Sequence, residues 1–264
     1  MRYLDNEGRI IETFAGSLPK EVLGADTENN ELKGAPLPEN VFDLSLSPDL
    51  SKIFYLFTAN DSATGITANV AGDSKVQVFS SPFTEWLSFW PNSKMITLTT
   101  KPASGLPGYM YAFDPAKKVL NKVFGGVNGL TTLASPDGKT ILYANDSLTL
   151  GLYDIATNNS YILAARTLPD KCVWGTASDV IYCAVPRTTP PGAYPDDWYK
   201  GKVSFSDQIW KIDVASKTAS VIIDPLSEPG GEDIDGIKLA LDKDQNYLFF
   251  VNKKDSFLWE LSLK

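Results

Sequence analysis

Residues 135–146 read "SPDGKTILYAND", a turn set directly before a strand. Pro136 presets the backbone angle of a turn and Gly138 tolerates a positive φ. Ile141-Leu142-Tyr143 then forms a strand. One such hairpin says little, but recurrence at a period of about 40 residues would name an architecture.

The unit recurs. Ser47-Pro48-Asp49 precedes Ile53-Phe54-Tyr55, and Trp90-Pro91-Asn92 precedes Ile96-Thr97-Leu98. Ser178-Asp179 precedes Val180-Ile181-Tyr182, and Asp242-Lys243-Asp244 precedes Leu248-Phe249-Phe250. The prolines at 48, 91 and 136 are spaced by 43 and 45 residues, and Tyr143 and Tyr182 by 39. A second signature follows each copy. "YAFDPAKK", "GLYDIATNN" and "WKIDVASKT" end strands at Asp114, Asp154 and Asp213 and then turn through a small residue. "LWELSLK" is the same strand with Ser262 in place of Asp, and "EGRIIETFAG" is a degenerate copy near the start.

Each unit thus holds strand a before the SPDG turn, b after it, c before the Asp turn and d after it. Four antiparallel strands per roughly 40–45 residues is the period of a β-propeller blade. The alternative, a β-sandwich with similar hairpins, has no internal repeat. The expectation is a single all-β domain over 1–264, a β-propeller of about six blades, at about 1–39, 40–83, 84–126, 127–168, 169–225 and 226–264. The first blade starts at a b-like strand, Arg2 to Leu4, and the last ends at strand c, so both are incomplete. The missing a and d strands are expected from residues preceding Met1; the alternative is a loosely latched ring with unpaired edges that invite another chain.

The SPDGK hairpins resemble TolB-type, WD-repeat-like propellers of bacteria over nearly the whole chain. More narrowly, "RYLDNEGRIIET", "KCVWGTASDVIYCAVP", "YPDDWYKG" and "FSDQIWKIDV" resemble a group of membrane-anchored bacterial propellers of unassigned function. That resemblance implies an extracytoplasmic or cell-surface location, with the anchor outside this sequence. It brings no catalytic residues.

The totals limit the function classes. The 264 residues are 43% hydrophobic and 21% charged, ample for a core, and no run of about 12 residues shows helical amphipathic period. The formal charge of −8 argues against nucleic acid and against an anionic membrane surface. With no histidine, a Ser-His-Asp or Cys-His nucleophile and a His-ligated metal are excluded. Carboxylate or tyrosine chemistry remains open. No apolar run is long enough to span a bilayer, and the first residues do not begin a signal peptide, so a cytoplasmic location also stays open. No cofactor fingerprint and no metal motif is present. "DKDQN" at 242–246 opens like a calcium loop, but position twelve is Lys253 where such a loop needs Glu.

Both cysteines fall on one hairpin. With the turn at Thr176 to Asp179, counting outward sets Trp174 opposite Ile181, Val173 opposite Tyr182 and Cys172 opposite Cys183. Facing cross-strand residues have Cβ atoms about 4.5–5.5 Å apart, nearer in non-hydrogen-bonded pairs, and a disulfide wants roughly 3.5–4.5 Å. The two readings are a cross-strand disulfide, implying an oxidising compartment, and a pair of reduced core thiols.

Strand parity sorts the loops onto two faces. The a–b and c–d turns are short, and the b–c and d–a connections hold the excess length. Tyr143 to Asp154 spans 11 residues but Tyr182 to Asp213 spans 31. That insertion, "VPRTTPPGAYPDDWYKGKVSFSD", carries Tyr194, Asp196, Asp197, Trp198, Tyr199 and Phe205. The neighbouring "DPLSEPGGEDIDG" carries Asp224, Glu228, Glu232, Asp233 and Asp235. One reading makes Tyr194, Trp198, Tyr199, Asp196, Asp197, Glu232, Asp233 and Asp235 a ligand-binding set for a protein, peptide, glycan or cation, with Trp198 as anchor. The other makes the insertion a lid whose aromatics fold onto their own blade. At the level of function, the leading expectation is a non-catalytic binding or scaffold propeller; the alternative is an enzyme acting on polysaccharide through paired carboxylates.

Overall fold

The computed structural model describes residues 2–4, 10–17 and 33–264. Among them, 22 strands form six sheets of sequential meanders. The first is β1 (Arg2–Leu4), β2 (Ile11–Ser17) and β3 (Lys33–Pro36). The second is β4 (Val41–Leu46), β5 (Lys52–Ala59), β6 (Ser62–Asn69) and β7 (Val76–Ser81). The third is β8 (Trp86–Asn92), β9 (Met95–Thr100), β10 (Pro107–Asp114) and β11 (Val119–Asn128). The fourth is β12 (Thr131–Ala134), β13 (Thr140–Ala144), β14 (Thr149–Asp154) and β15 (Asn159–Arg166). The fifth is β16 (Cys172–Trp174), β17 (Val180–Pro186), β18 (Asp207–Asp213) and β19 (Thr218–Ile223), and the last is β20 (Gly236–Leu241), β21 (Tyr247–Asn252) and β22 (Leu258–Ser262).

The fold is a β-propeller of four-stranded antiparallel sheets, with three-stranded sheets at its two ends. The blade count is corrected from about six to five. Five successive sheets, β4 to β22, repeat the blade meander. The first sheet is built on the degenerate "EGRIIETFAG" copy, and residues 5–9 and 18–32, which join its strands, lie outside the described residues. The chain forms two compact units, Met1–Leu98 with Ala112–Asn121, and Thr99–Tyr111 with Lys122–Lys264.

The sequence repeat is a repeat of hydrogen bonds. In four of the five hairpins the fourth turn residue donates its N–H to the first: Leu50 to Ser47 at 2.8 Å, Gly138 to Ser135 at 2.9 Å, Ser178 to Gly175 at 3.0 Å and Gln245 to Asp242 at 3.0 Å; the β8–β9 hairpin turns more tightly, between Asn92 and Met95. In these four that residue is left-handed, with φ of 56° at Leu50, 71° at Gly138, 62° at Ser178 and 55° at Gln245. The first residue's side chain then caps the next strand: Ser47 Oγ accepts from Lys52 N, Ser135 Oγ from Thr140 N and Asp242 Oδ1 from Tyr247 N. The second signature behaves alike. Asp114, Asp154 and Asp213 each accept the N–H three residues on, and Lys118, Asn158 and Lys217 follow at positive φ.

Strand b is buried on both faces in β5, β9, β13 and β17, and in β17 both faces are apolar because a sheet packs on each side. In β17, Cys183 and Val185 join Leu142, Leu152 and Trp174 in the core toward the fourth sheet. Tyr182 and Ala184 join Leu239, Leu248 and Phe250 in the core toward the last. Such a strand reads as a continuous apolar run instead of an alternation. The β16–β17 register is Cys172↔Cys183, Val173↔Tyr182 and Trp174↔Ile181. The two cysteines form a disulfide, with Cα atoms 4.1 Å apart across the ladder.

Two outcomes follow. Leu50 is 64% exposed and left-handed, so Leu50→Gly relieves a steric cost of roughly 1–2 kcal/mol, partly offset by added chain entropy; chemical denaturation should show a net gain of about 0.5–1 kcal/mol. Replacing both cysteines by serine should lower stability by about 2–3 kcal/mol for so short a loop, and intact mass without reductant should be two hydrogens below that of the reduced chain.

Candidate functional site

The 187–206 insertion leaves β17 and returns to β18 at one closed neck, where Arg187 N–H donates to the Ser206 carbonyl at 2.8 Å. Inside it, Asp197 organises the chain. Its Oδ2 accepts the Ala193 N–H at 2.9 Å, its backbone carbonyl takes the N–H groups of Lys202 and Val203, and its carboxylate pairs with Lys202 at 3.3 Å. A cis peptide joins Tyr194 to Pro195, and one helical turn follows, α1 (Asp196–Tyr199). The turn points its residues two ways.

Inward go the large aromatics. Tyr194, Trp198 and Phe205 are 3%, 4% and 1% exposed and pack with Leu148 and Leu168. The Trp198 and Phe205 rings stack at 6.1 Å, and Tyr194 stacks on Phe205 at 5.6 Å. Beneath them lies Lys171, the last residue of the 3-10 turn Pro169–Lys171, fully buried. Its ammonium contacts Asp235 Oδ1, Asp207 Oδ2 at 2.7 Å and the Gly236 carbonyl at 3.0 Å, and sits 5.1 Å from the Trp198 ring centre and 5.2 Å from that of Phe205.

The two carboxylates are served unequally. Asp235 accepts from Trp198 Nε1 at 3.1 Å, the Ser204 hydroxyl at 3.1 Å and Phe205 N–H at 3.1 Å, besides Lys171. Burial opposes its ionisation, but Lys171 and these donors outweigh burial and hold its carboxyl below the ordinary value. Among the described residues, Asp207 Oδ2 accepts from Lys171 and, at 2.7 Å, from Gly236 N–H, and its Oδ1 has no partner. Burial therefore prevails there and pushes Asp207 up to about 6. Gly236 permits the close approach, since a Cβ on it would lie 2.9 Å from Ala184 Cβ. Lys253 completes the seat, donating to the Trp198 carbonyl with its ammonium 4.0 Å from the ring centre.

Outward go Tyr199 and Asp196. Tyr199 is 41% exposed, and its hydroxyl donates to Asp170 Oδ1 at 2.9 Å. Asp196 Oδ2 accepts Ser104 N–H at 2.7 Å, which holds its carboxyl below the ordinary value, and Oδ1 pairs with Lys200 at 3.4 Å. Asp170 is exposed to solvent, yet surrounding protein raises its carboxyl by desolvation.

The eight residues expected to bind thus divide. Asp196 and Tyr199 share the outer side of α1. Tyr194, Trp198 and Asp235 form its buried root, and Asp197 shapes the insertion. Glu232 and Asp233 are exposed on the neighbouring loop, where Asp233 pairs with Lys254. Nothing in "LPDKCVW" or "FSDQIW" marks Lys171, Asp207 or Asp170 as part of a site, since neither stretch signals a buried charge. Among the described residues, no group of three or more His, Cys, Asp or Glu is placed to hold a metal ion.

No protein-family model matches the chain, and no curated protein matches it. Solved structures do. TolB from Acinetobacter baumannii is similar at 13% identity and a TM-score of 0.51 over 85% of this chain and 54% of that one. A chain of a nidogen/laminin complex is similar at 10% identity and a TM-score of 0.56, over 96% and 89%. The GH74 enzyme of Niastella koreensis is similar at 12% identity and a TM-score of 0.53, over 80% and 33%. The chain thus spans about half of the TolB chain and a third of the GH74 enzyme. At these identities the likeness is one of fold: a β-propeller.

Asp235→Ala leaves the Lys171 ammonium buried beside one reluctant carboxylate and should cost about 3–5 kcal/mol. Trp198→Ala removes a buried indole and should cost about 3–5 kcal/mol. Because Trp198 Nε1 bonds Asp235, chemical denaturation of the double variant should show a loss smaller than the sum of the two.

Proposed function

We propose that this chain is a binding or scaffold propeller whose contacts centre on the outer side of the 187–206 insertion, with Tyr199 as the aromatic anchor. One observation carries the reading. A single helical turn is fixed from beneath by a fully buried ion cluster, and what it holds outward is an exposed tyrosine between two carboxylates, Asp170 and Asp196. Rigid support under a few outward polar and aromatic groups is what a binding site needs. Trp198, at 4% exposure, is the root of the element, and Tyr199 offers the area. Carboxylates around an aromatic face favour a cationic or hydroxyl-rich partner over a phosphate.

The location that fits is extracytoplasmic. The Cys172–Cys183 disulfide supports it, since such bonds persist in oxidising compartments. Among the described residues, no helix is long and apolar enough to cross a membrane.

A second reading has one observation in its favour. Asp170 is raised by desolvation while Asp196 is held low by Ser104 N–H. Two carboxyls pushed apart in this way suit an acid and a base at a glycosidic bond.

Arrays of glycans and of cationic peptides test both. Tyr199→Ala should lose tenfold or more of the capture seen with the wild type, as truncation of an anchor worth about 2 kcal/mol does, with little change in melting. Capture undiminished by Tyr199→Ala contradicts the proposed site. Cleavage of a captured glycan, abolished by Asp170→Asn, selects the enzyme.

A further inference from the structure

We propose that Lys171, Asp207 and Asp235 form a pH-sensitive latch that holds the 187–206 insertion down most firmly when Asp207 carries a proton. The three groups come from three separate elements: the 3-10 turn before β16, the first residue of β18 and the residue before β20. The insertion closes over them, resting Trp198 and Phe205 on Lys171 and giving Asp235 three of its hydrogen bonds. Lys253, after β21, is the other cation at the cluster; it donates to the Trp198 carbonyl and lies 4.0 Å from the ring centre.

Charge bookkeeping selects the proton's place. With both aspartates ionised, one fully buried ammonium faces two buried carboxylates, a net negative charge out of water. Asp235 is saturated with donors and stays ionised, whereas Asp207 has one oxygen with no partner among the described residues. A proton on Asp207 leaves one ammonium and one carboxylate among the fully buried groups, with Lys253, which is only part-buried, at the edge of the cluster. Opening the insertion admits water, and Asp207 then returns toward the ordinary carboxylate value.

The sign follows. Asp207 is raised to about 6 in the closed state, so closing takes up a proton between its ordinary value near 3.8 and that value. Closure is favoured most below this window and weakens as pH rises through it. Asp235 is shifted the opposite way, and its contribution is lost only when pH falls toward the ordinary carboxylate range. From pH 5 to 7.5 the closed-to-open ratio should fall about tenfold. For binding this rests on the proposed role of Tyr199: its presentation would loosen toward neutral pH.

Amide hydrogen exchange of the full chain tests the latch without any ligand. At pH 5.0 and 7.5, corrected for the intrinsic rate, protection of 194–205 should fall about tenfold while β13 (Thr140–Ala144) stays constant. In Asp207→Asn, which mimics the neutral acid, protection of 194–205 should be equal at both values. Equal protection in the wild type, or a persisting pH dependence in a folded Asp207→Asn, overturns the latch. Should the variant not fold, carboxyl carbon shifts of Asp207 in the wild type decide: a titration midpoint matching that of exchange supports the proposal, and a midpoint in the ordinary carboxylate range overturns it. Because no ligand enters, the latch can fail while array binding through Tyr199 stands, and the reverse.

Discussion

An ammonium with no contact to water needs its charge answered at once, and Lys171 is answered by two aspartates far away in sequence. This constraint organises the long-loop side of the second unit. It draws the segment before β20 against the start of β18, brings Asp235 under the insertion, and gives Trp198, Ser204 and Phe205 a shared acceptor. A buried ion pair contributes little net stability compared with an apolar pair of the same size, because desolvation consumes most of the attraction. What it supplies is geometry: the insertion can seat in one way only if Asp235 is to keep its donors.

The blade repeat was legible because it is written in backbone chemistry. Left-handed fourth residues, serine or aspartate caps and Asp turns leave the same residue types at the same spacing, even where Gly138 is replaced by Leu50, Ser178 or Gln245. The cross-strand disulfide was legible for the same reason, since a four-residue turn fixes which residues face each other, and Cys172 meets Cys183 as the count requires. The blade number was less so. A degenerate first copy holds enough pattern to suggest a further blade, and its described residues form a sheet of three strands.

The site was half legible. Loop length located the 187–206 insertion, but composition could not say which aromatics face in. Trp198 and Tyr199 are adjacent, and one helical turn sends the first onto Asp235 and the second onto Asp170. The acidic character of "EDIDG" likewise conceals two opposite environments. Asp233 is exposed beside Lys254, while Asp235, two residues on, is wholly buried. Lys171 left no trace, because a buried lysine beside a cysteine reads like any surface lysine at a strand start. Such tertiary pairings are set by contacts between residues 36 and 64 positions apart, beyond the reach of local pattern.

The likeness to TolB, to a nidogen/laminin complex chain and to a GH74 enzyme is one of scaffold, and a propeller serves many chemistries. The proposed function rests instead on this chain's own insertion and the charge cluster beneath it. Limited trypsin digestion of the folded protein at neutral pH reads that relation directly, since Arg187, Lys200 and Lys202 lie within the insertion. With the cluster intact, cleavage there should be slow; in Lys171→Met it should become the first event, leaving fragments 1–200 and 203–264 associated through β17 and β18. Equal cleavage rates in the two proteins, or digestion of Lys171→Met throughout the chain with no early cut in the insertion, would contradict the account.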